Sequence, residues 1–272
     1  MITPVVQRWR DQRGTYRPAR EAVNVRTLEV TPLDESTAKA FVERHHYLAS
    51  YPAARERFGL YWRSELAGVV VFSQPVNNAT LACLPGEPAE SLELGRLVLL
   101  DEVAANAESW LIAQCFEHLK REGYSGVVSF SDPHPRTTAE GMTVHPGHVG
   151  TIYQATNGVY LGRSKAQGLD LLPDGRALTE RAKVKIRKLE RGWRYCAQLL
   201  ERFGAEPLDP AGEDPRAWLA RWTAALCRRT RHPGNHKYAW TLHKRHRRHL
   251  PDSKPYPKLH MPRPGVLSEV AA

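Results

Sequence analysis

A short run of residues that could carry acid–base chemistry lies between two predicted strands. The apolar sequence 127–130 predicts a buried strand, and Ser131-Asp132-Pro133 follows it at once. A loop rich in Gly, Pro and His comes next and leads through a helical turn into another strand. Small polar residues, an acid and histidines at a strand end are typical of an active site on an open α/β sheet. The alternative is a surface loop with ordinary turn chemistry.

A charged residue inside an apolar strand is the second chemical signal. Arg96 must pair with a carboxylate or a ligand if it is buried. Glu93, three residues away, faces the opposite side of a regular strand, which leaves Glu108, Asp132 or a ligand as the partner of Arg96. A purely structural ion pair is the alternative for this arginine.

Alternating strands and helices must position these groups. Apolar runs and apolar–polar alternation predict strands at 25–30, 58–62, 66–72, 92–100, 127–130 and 159–162. Asp34 can cap a first helix, and Asn106 can cap a second that ends at Gly123. A helical turn is predicted at 151–156. We therefore predict an α/β fold with a mixed sheet flanked by helices.

Length and composition narrow the class of protein. The 272 residues suffice for one large domain or for a domain with an extension. No run approaches the roughly 20 apolar residues that span a membrane, and the N-terminus lacks the apolar centre of a secretory signal. The four cysteines show no short paired spacing, so neither a zinc knuckle nor a disulfide framework is indicated. We expect a cytoplasmic protein with no membrane partner.

Positive charge is concentrated in the last third of the chain. Residues 176–263 contain 22 Lys and Arg against 8 Asp and Glu, a net of +14, whereas the remainder contains 17 against 21, a net of −4; together these give +10. An excess of one sign favours a polyanion, most often nucleic acid, over a solvated face that mixes both signs. A tail folded back on the core with its charges in water is the alternative.

Helices are predicted to present much of this charge. Apolar residues at steps of three and four predict an amphipathic helix over about 178–203, weakened near Gly192, and Asp214 begins another. Tyr238 and Trp240 could stand on a strand or a stacking platform. The candidate nucleic-acid-binding residues are Arg181, Lys183, Lys185, Arg187, Lys188, Lys237, Lys244, Arg245, Arg247 and Arg248.

The order of these elements resembles the GNAT acetyltransferase superfamily. In that superfamily, backbone amides at a helix N-terminus after the fourth strand hold the pyrophosphate of the cofactor. Here Asp101 and Glu102 stand where acetyl-CoA binders typically have an Arg/Gln-x-x-Gly-x-Gly/Ala loop. Two carboxylates would repel a pyrophosphate, so the sequence counts against an acyl-CoA donor and leaves the cofactor unknown.

A narrower resemblance is to the Mom family of phage DNA-modification proteins, which adopt a GNAT-like fold. It covers roughly residues 25–260 and is most specific in GHVGTIYQATN at 147–157. The other matching segments are His45-His46-Tyr47-Leu48, Leu94-Gly95-Arg96-Leu97-Val98, Ala107-Glu108-Ser109-Trp110, Ser131-Asp132-Pro133, Tyr160-Leu161-Gly162, Lys237-Tyr238 and Pro255-Tyr256-Pro257-Lys258. The resemblance implies conversion of adenine, at its exocyclic amino group, to a carbamoylmethyl derivative that shields DNA from restriction.

Base pairing buries the exocyclic amine, so such an enzyme must either flip the base or take single strands. We expect double-stranded DNA with a flipped adenine as the partner. Asp132 could take a proton from that amine or orient a histidine that does so. The candidates for stacking on the base are Tyr47, Tyr153, Tyr160 and Trp62. The candidates for its pairing edge are Ser129, Ser131 and Gln154. The predicted catalytic set is His46, Tyr47, Arg96, Ser131, Asp132 and Tyr153.

A bound metal is a further possibility. A mixed nitrogen and oxygen set that suits iron could be formed by His45 or His46, Tyr47, Asp132 and one of His145 or His148. No His-x-x-x-His spacing on a helix supports it.

The predicted domains are an N-terminal arm at 1–24, a GNAT-like catalytic core at 25–165, and a basic helical extension at 166–272 that packs on the core and binds DNA. Two other functions stay open. One is a conventional N-acetyltransferase for a small-molecule or protein amine, which the acidic Asp101-Glu102 loop disfavours. The other is a non-enzymatic nucleic-acid-binding module on a decayed GNAT core, which the polar residues at the strand ends disfavour.

Overall fold

A computed structural model describes residues 5–10, 13–18, 21–48 and 50–258. Parts of the predicted N-terminal arm and the end of the predicted extension lie outside these residues. The chain forms two compact units. A sheet unit comprises residues up to 133, 148–164 and the residues from 235 onward, and a helical unit comprises 134–147 and 165–234. The segment predicted as one extension from residue 166 is therefore shared between the two units.

Fourteen strands and six helices are described. The strands are β1 Val5–Arg10, β2 Arg13–Pro18, β3 Leu28–Pro32, β4 Ala54–Trp62, β5 Glu65–Ser73, β6 Ser91–Leu99, β7 Gly126–Ser131, β8 Arg136–Thr137, β9 Thr143–His145, β10 Val159–Arg163, β11 Gln167–Leu171, β12 Ala177–Leu178, β13 Arg228–His232 and β14 His236–Thr241. The helices are α1 Glu35–His45, α2 Ala107–Arg121, α3 Thr151–Ala155, α4 Glu180–Lys188, α5 Trp193–Glu201 and α6 Pro215–Leu226.

The main sheet has seven strands in the order β10-β14-β7-β6-β5-β4-β3. Only β6 and β7 are parallel, and every other pair is antiparallel. The predicted α/β class, a mixed sheet flanked by helices, is confirmed. The sequence did not place β14 in this sheet, yet it lies between β7 and β10. Tyr238 and Trp240 on this strand are buried, so they serve as core and not as an exposed platform.

Two apolar layers hold the helices against the sheet. Helix α1 begins where the Asp34 side chain accepts the Thr37 amide hydrogen, as its capping position predicts, and it buries Val42 against Val71. Helix α2 buries Leu111 on the opposite face, against Leu92. Each such side chain contributes about 1.5–3 kcal/mol when fully buried. These layers fix the strand ends that carry the candidate site.

The helical unit replaces the single helix predicted over 178–203 with two. Leu189 and Gly192 adopt left-handed φ angles of 52° and 86°, which end α4 and begin α5. Trp218 of α6 is completely buried and donates its indole hydrogen to the Glu206 carbonyl. Of the helices that the structure describes, none combines the length and apolar character that crossing a bilayer requires.

Candidate functional site

The site forms where two parallel strands separate. Strands β6 and β7 are paired from Ser91 and Gly126 as far as Leu94 and Ser129. Beyond that point β6 follows β5, and β7 stays with β14 through Ser131. The gap between diverging strands lets side chains from both faces of the sheet approach each other.

A β-bulge at Gly95 changes which residues share a face. Arg96 lies opposite Val71, whereas Leu94 lies opposite Phe72, so Gly95 is an extra residue in β6. A Cβ atom on Gly95 would lie 2.6 Å from Ser73 Oγ, which explains the glycine. The bulge places Glu93 and Arg96 on the same face, so the prediction of opposite faces is wrong. Regular alternation was the assumption that failed.

Arg96 is held by backbone and by Ser50. Its Nε donates to the Ser50 carbonyl at 3.0 Å, its Nη2 donates to Ser50 Oγ at 3.0 Å, and its Nη1 donates to the Gly95 carbonyl at 2.6 Å. Burial lowers its pKa, and nearby Tyr47, Glu93 and Tyr153 raise it in part. The partner offered from the sequence, Glu108, instead forms an ion pair of 2.6 Å with Arg8.

Glu93 is the oppositely charged residue that lies near Arg96. Burial raises the pKa of its carboxyl group, and the positive charge of Arg96 acts in the opposite direction. A carboxylate and a guanidinium therefore share the opening between β6 and β7. The guanidinium remains partly exposed and could face a bound ligand.

Tyr153 approaches the same opening from the other face of the sheet. It is 7% exposed, burial raises its pKa, and its hydroxyl forms a hydrogen bond with Ser129. Ser129 Oγ also donates to the Leu94 carbonyl at 2.9 Å. Ser131, two residues further along β7, is completely buried. Helix α3 thus carries Tyr153 to the point where the strands separate.

The residues after α1 meet the loop after β7. His46 stacks on Tyr47 with ring centroids 4.4 Å apart, and the Tyr47 ring lies edge-on to His148 at 6.2 Å. The His148 amide donates to the Asp132 carbonyl at 2.8 Å. Asp132 is 9% exposed. All six residues of the predicted catalytic set lie in the sheet unit. The Tyr47 ring contacts His148, whose amide bonds to the Asp132 carbonyl. Tyr47 is also among the groups that raise the pKa of Arg96.

Three other candidates for contact with a base are already engaged or distant. The Gln154 amide donates to the Val149 and Pro257 carbonyls and to the Tyr238 hydroxyl. Trp62 ends β4 five residues beyond Arg57, which lies opposite Val71, so it stands roughly 17 Å along the strand from the site. Ser129, as described above, is bonded to the Leu94 carbonyl.

Protein groups occupy the N-terminus of α2, where the superfamily resemblance places a cofactor pyrophosphate. The Glu21 carboxylate accepts the Ala105 amide hydrogen at 2.9 Å. The Arg8 guanidinium donates to the carbonyls of Leu100, Val103 and Ala104. Glu21 already occupies this amide, so a second anion would have to displace it. This arrangement adds a physical reason to doubt an acyl-CoA donor.

The predicted iron ligands fit a metal poorly at one position. Leu48 donates its amide hydrogen to His46 Nδ1 at 3.1 Å, which puts the imidazole proton on Nε2. Metal binding at Nε2 would need that proton on Nδ1, at the expense of this hydrogen bond. Within the described ranges, no three His, Cys, Asp or Glu side chains are grouped to hold a metal ion. Iron bound by His46, Tyr47 and Asp132 stays a prediction.

The predicted DNA-binding cations of α4 are largely engaged within the helical unit. Lys183 is buried and pairs with Asp170 and Glu180, so the structure does not offer it to a phosphate. Arg181 pairs with Glu190 at 2.7 Å, and Arg187 pairs with Glu180 at 3.3 Å. Lys185 and Lys188 lie on the same helix. A groove of about 1010 Å³ runs between α4 and α6 beside these residues.

A second group of predicted cations lies in the sheet unit, directly after β14. A 3₁₀ turn, Lys244–His249, exposes Lys244, Arg245, Arg247 and Arg248. Among the described residues, none of the four forms an ion pair with a carboxylate. Lys237 on β14 behaves differently, because its Nζ donates to the Thr80 carbonyl at 2.6 Å. The turn therefore offers its positive charge to solvent or to a ligand.

Sequence reasoning missed several residues of this site. Glu93 was placed on the wrong face, although an isolated glycine next to it in a strand is a known signal of a bulge. Ser50 gave no signal, because its contact with Arg96 depends on how the loop after α1 folds. His236, which lies opposite Ser131 in the pairing of β14 with β7, was also missed, since the strand that carries it was not expected beside β7.

No curated protein matches the sequence. A tandem GNAT protein from the clavulanic acid biosynthesis pathway superposes with a TM-score of 0.41 and 8% identity, covering 79% of this chain and 99% of that one. A Bacillus subtilis acetyltransferase in complex with CoA gives 0.32 and 12%, covering 79% and 98%. TM-scores this low support no conclusion about this chain.

The model of one protein family covers most of the chain. It matches residues 27–258, which include α1, the diverging strands β6 and β7, the segment 147–157 and the 3₁₀ turn after β14. The prediction made from the sequence motifs is confirmed: this chain belongs to the Mom protein family.

Proposed function

We propose that this protein modifies the exocyclic amino group of adenine in double-stranded DNA, by carbamoylmethylation or a related acyl-type modification that protects the DNA from restriction. The observation that supports this proposal is that Arg96 lies near Tyr47 and Tyr153 where β6 and β7 separate, with Asp132 directly after β7, in a chain of the Mom family.

The residues divide the reaction between them. Asp132 accepts the proton that the amine loses as its nitrogen bonds to the donor carbon and the leaving group of the donor departs. The positive charge of Arg96 stabilises negative charge that develops on the donor. Ser50 already fixes the guanidinium, so it need not reorganise during the reaction. Tyr47 stacks on the flipped base beside His46.

DNA is held by the sheet unit itself. Lys244, Arg245, Arg247 and Arg248 are exposed and lie on the turn that follows β14, a strand paired with β7. Cations on phosphates give affinity without reading the sequence. Contacts from α4 are secondary in this proposal, because carboxylates already engage several of its cations.

Mass spectrometry of nucleosides from DNA of cells that express the protein tests this function. We expect a modified deoxyadenosine with the wild-type chain and a severe loss with Asp132→Ala or Tyr153→Phe. Unmodified nucleosides from cells with folded, expressed wild-type protein would refute the proposal.

A conventional N-acetyltransferase is the competing function, and cofactor binding separates the two. Since Glu21 and Asp101 surround the N-terminus of α2, we expect acetyl-CoA to bind no more tightly than about 1 mM, or about −4 kcal/mol. Micromolar binding in calorimetry, with acetylation of a free amine, would favour the acetyltransferase.

A further inference from the structure

Two buried polar atoms near the proposed site lack hydrogen-bond partners. Ser131 is completely buried and His236 is 1% exposed. Among the described residues, neither Ser131 Oγ nor His236 Nε2 has a donor or acceptor within reach. Buried polar groups are nearly always paired, and an unpaired one is costly. These two atoms could offer a donor and an acceptor to a ligand.

The two side chains face each other across a pair of strands. Ser131 ends β7, His236 begins β14, and the two residues are directly opposite in the antiparallel register. Opposed residues share a face of the sheet, with Cβ atoms about 4.5–5.5 Å apart. Asp132 is the next residue along the chain. The unpaired atoms therefore lie beside the group to which we assign the proton transfer.

Tyr160 sets the hydrogen on the histidine ring. Its hydroxyl lies 2.7 Å from His236 Nδ1, and it has no other acceptor in the described part of the chain. We assign the phenol hydrogen to this contact, which leaves the ring proton on Nε2. Burial, with the charge of Arg163, lowers the pKa of His236 to about 4, so the ring is neutral near pH 7.

We propose that Ser131 and His236 read the pairing edge of the flipped adenine. His236 Nε2–H donates to the ring nitrogen N1, and Ser131 Oγ accepts a hydrogen from the exocyclic amine. This assignment rests on the proposed function and adds residues that discriminate against guanine and thymine. Guanine and thymine present an N–H and a carbonyl at these positions, so each would place two donors face to face.

The other candidates for this edge are excluded by their bonds. Ser129 Oγ donates to the Leu94 carbonyl, and the Gln154 amide is shared among three acceptors. Gly150 lies against the pair: a Cβ atom there would stand 3.0 Å from Ser131 Oγ, and its φ is 73°. The segment 148–150 therefore covers the edge-reading pair, so the assignment requires this segment to be displaced when a base binds.

Adenine analogues test the assignment atom by atom. The assay measures modification of DNA oligonucleotides that carry adenine, 1-deazaadenine or 7-deazaadenine at the target position. We expect the wild-type enzyme to disfavour 1-deazaadenine, which lacks the N1 acceptor, by about 10- to 100-fold, and to tolerate 7-deazaadenine. His236→Ala should lower activity on adenine and lose the discrimination against 1-deazaadenine.

Two milder variants keep the test informative if His236→Ala does not fold. His236→Gln retains an N–H donor and should retain part of the discrimination. Tyr160→Phe frees the ring to place its proton on Nδ1, so discrimination should fall while DNA binding is kept. Equal discrimination in the wild type and in folded Tyr160→Phe and His236→Ala would overturn the assignment.

The outcomes also separate this inference from the proposed function. A wild-type enzyme that modifies adenine and 1-deazaadenine equally refutes the role of His236 and leaves the function intact. A wild-type protein that modifies no adenine refutes the function itself.

Discussion

The two cationic regions of this chain differ in what surrounds their charges. In the helical unit, the cations of α4 face carboxylates: Lys183 is buried with Asp170, and Arg181 pairs with Glu190. In the sheet unit, the 3₁₀ turn Lys244–His249 presents four exposed cations, and no carboxylate among the described residues pairs with them.

This contrast shows that the density of charge in a sequence is not the charge available to a ligand. Both regions contribute to the net +14 of residues 176–263. An ion pair within the protein must be broken before its cation can contact a phosphate, whereas an exposed cation needs only to release solvent and counterions. We therefore expect the sheet unit to contain both the chemistry and the main DNA contact.

The largest effect is expected from the site in the sheet unit. Asp132→Asn keeps the size of the side chain and removes its basicity, so modification of adenine should fall by about 10²- to 10⁴-fold. DNA affinity should stay within about twofold, because this change touches no phosphate contact. Rate and affinity are measured on the same oligonucleotide. Equal rates for variant and wild type would remove Asp132 from the mechanism.

The next effect is on the stability of the helical unit. Lys183→Ala would leave the Asp170 carboxylate, which is 5% exposed, without its closest cation. Breaking a buried ion pair from one side costs about 3–5 kcal/mol. Urea unfolding should show this loss. Lys188→Ala on the same helix is the control and should change stability by less than about 0.5 kcal/mol. A similar change in stability for both variants would mean that the ion pair of Lys183 does not stabilise the fold.

A third prediction compares the two regions as DNA contacts. Replacement of Lys244, Arg245, Arg247 and Arg248 by alanine should lower the slope of log affinity against log salt by roughly two to four, since each phosphate contact contributes about 0.9. Sequence preference should hardly change.

The matched control lies on α4. Replacement of Arg181, Lys185, Arg187 and Lys188 by alanine removes the same number of charges, and we expect a smaller change in slope because Glu180 and Glu190 engage two of the four. Binding isotherms at several salt concentrations give both slopes. If the slope fell more in the α4 variant, the helical unit would be the main DNA contact and our expectation would be reversed.

The smallest effect concerns acid stability. The folded-state pKa of His236 is about 4, below the ordinary 6.5. As pH falls through 6.5 the unfolded chain gains a proton that the folded chain does not, so stability falls until about pH 4 and is fully kept above pH 6.5. His236→Gln should lose less stability than the wild type between pH 7 and pH 4.5 in urea unfolding. Parallel losses in both proteins would show that His236 is not the group responsible.

Much of the fold could be predicted because it depends on local patterns. The capping role of Asp34, the α2 helix that stops before Gly123, and the order of strands and helices follow from periodicity and helix signals. The break between α4 and α5 was only partly foreseen. Gly192 marked it, but the left-handed Leu189 gave no signal in the sequence.

By itself, the sequence determined the residue types available to the site, the family, and the net positive charge of the last third. Only the tertiary structure decided which of these side chains lie together. Glu93 joined Arg96 because an extra residue at Gly95 reverses the alternation of β6, and His236 joined Ser131 because β14 returns to the sheet beside β7. It likewise decided which cations are free, since Lys183 and Asp170 are thirteen residues apart and meet only through folding. Strand pairing and ion pairing are long-range contacts, and short sequence patterns do not encode them.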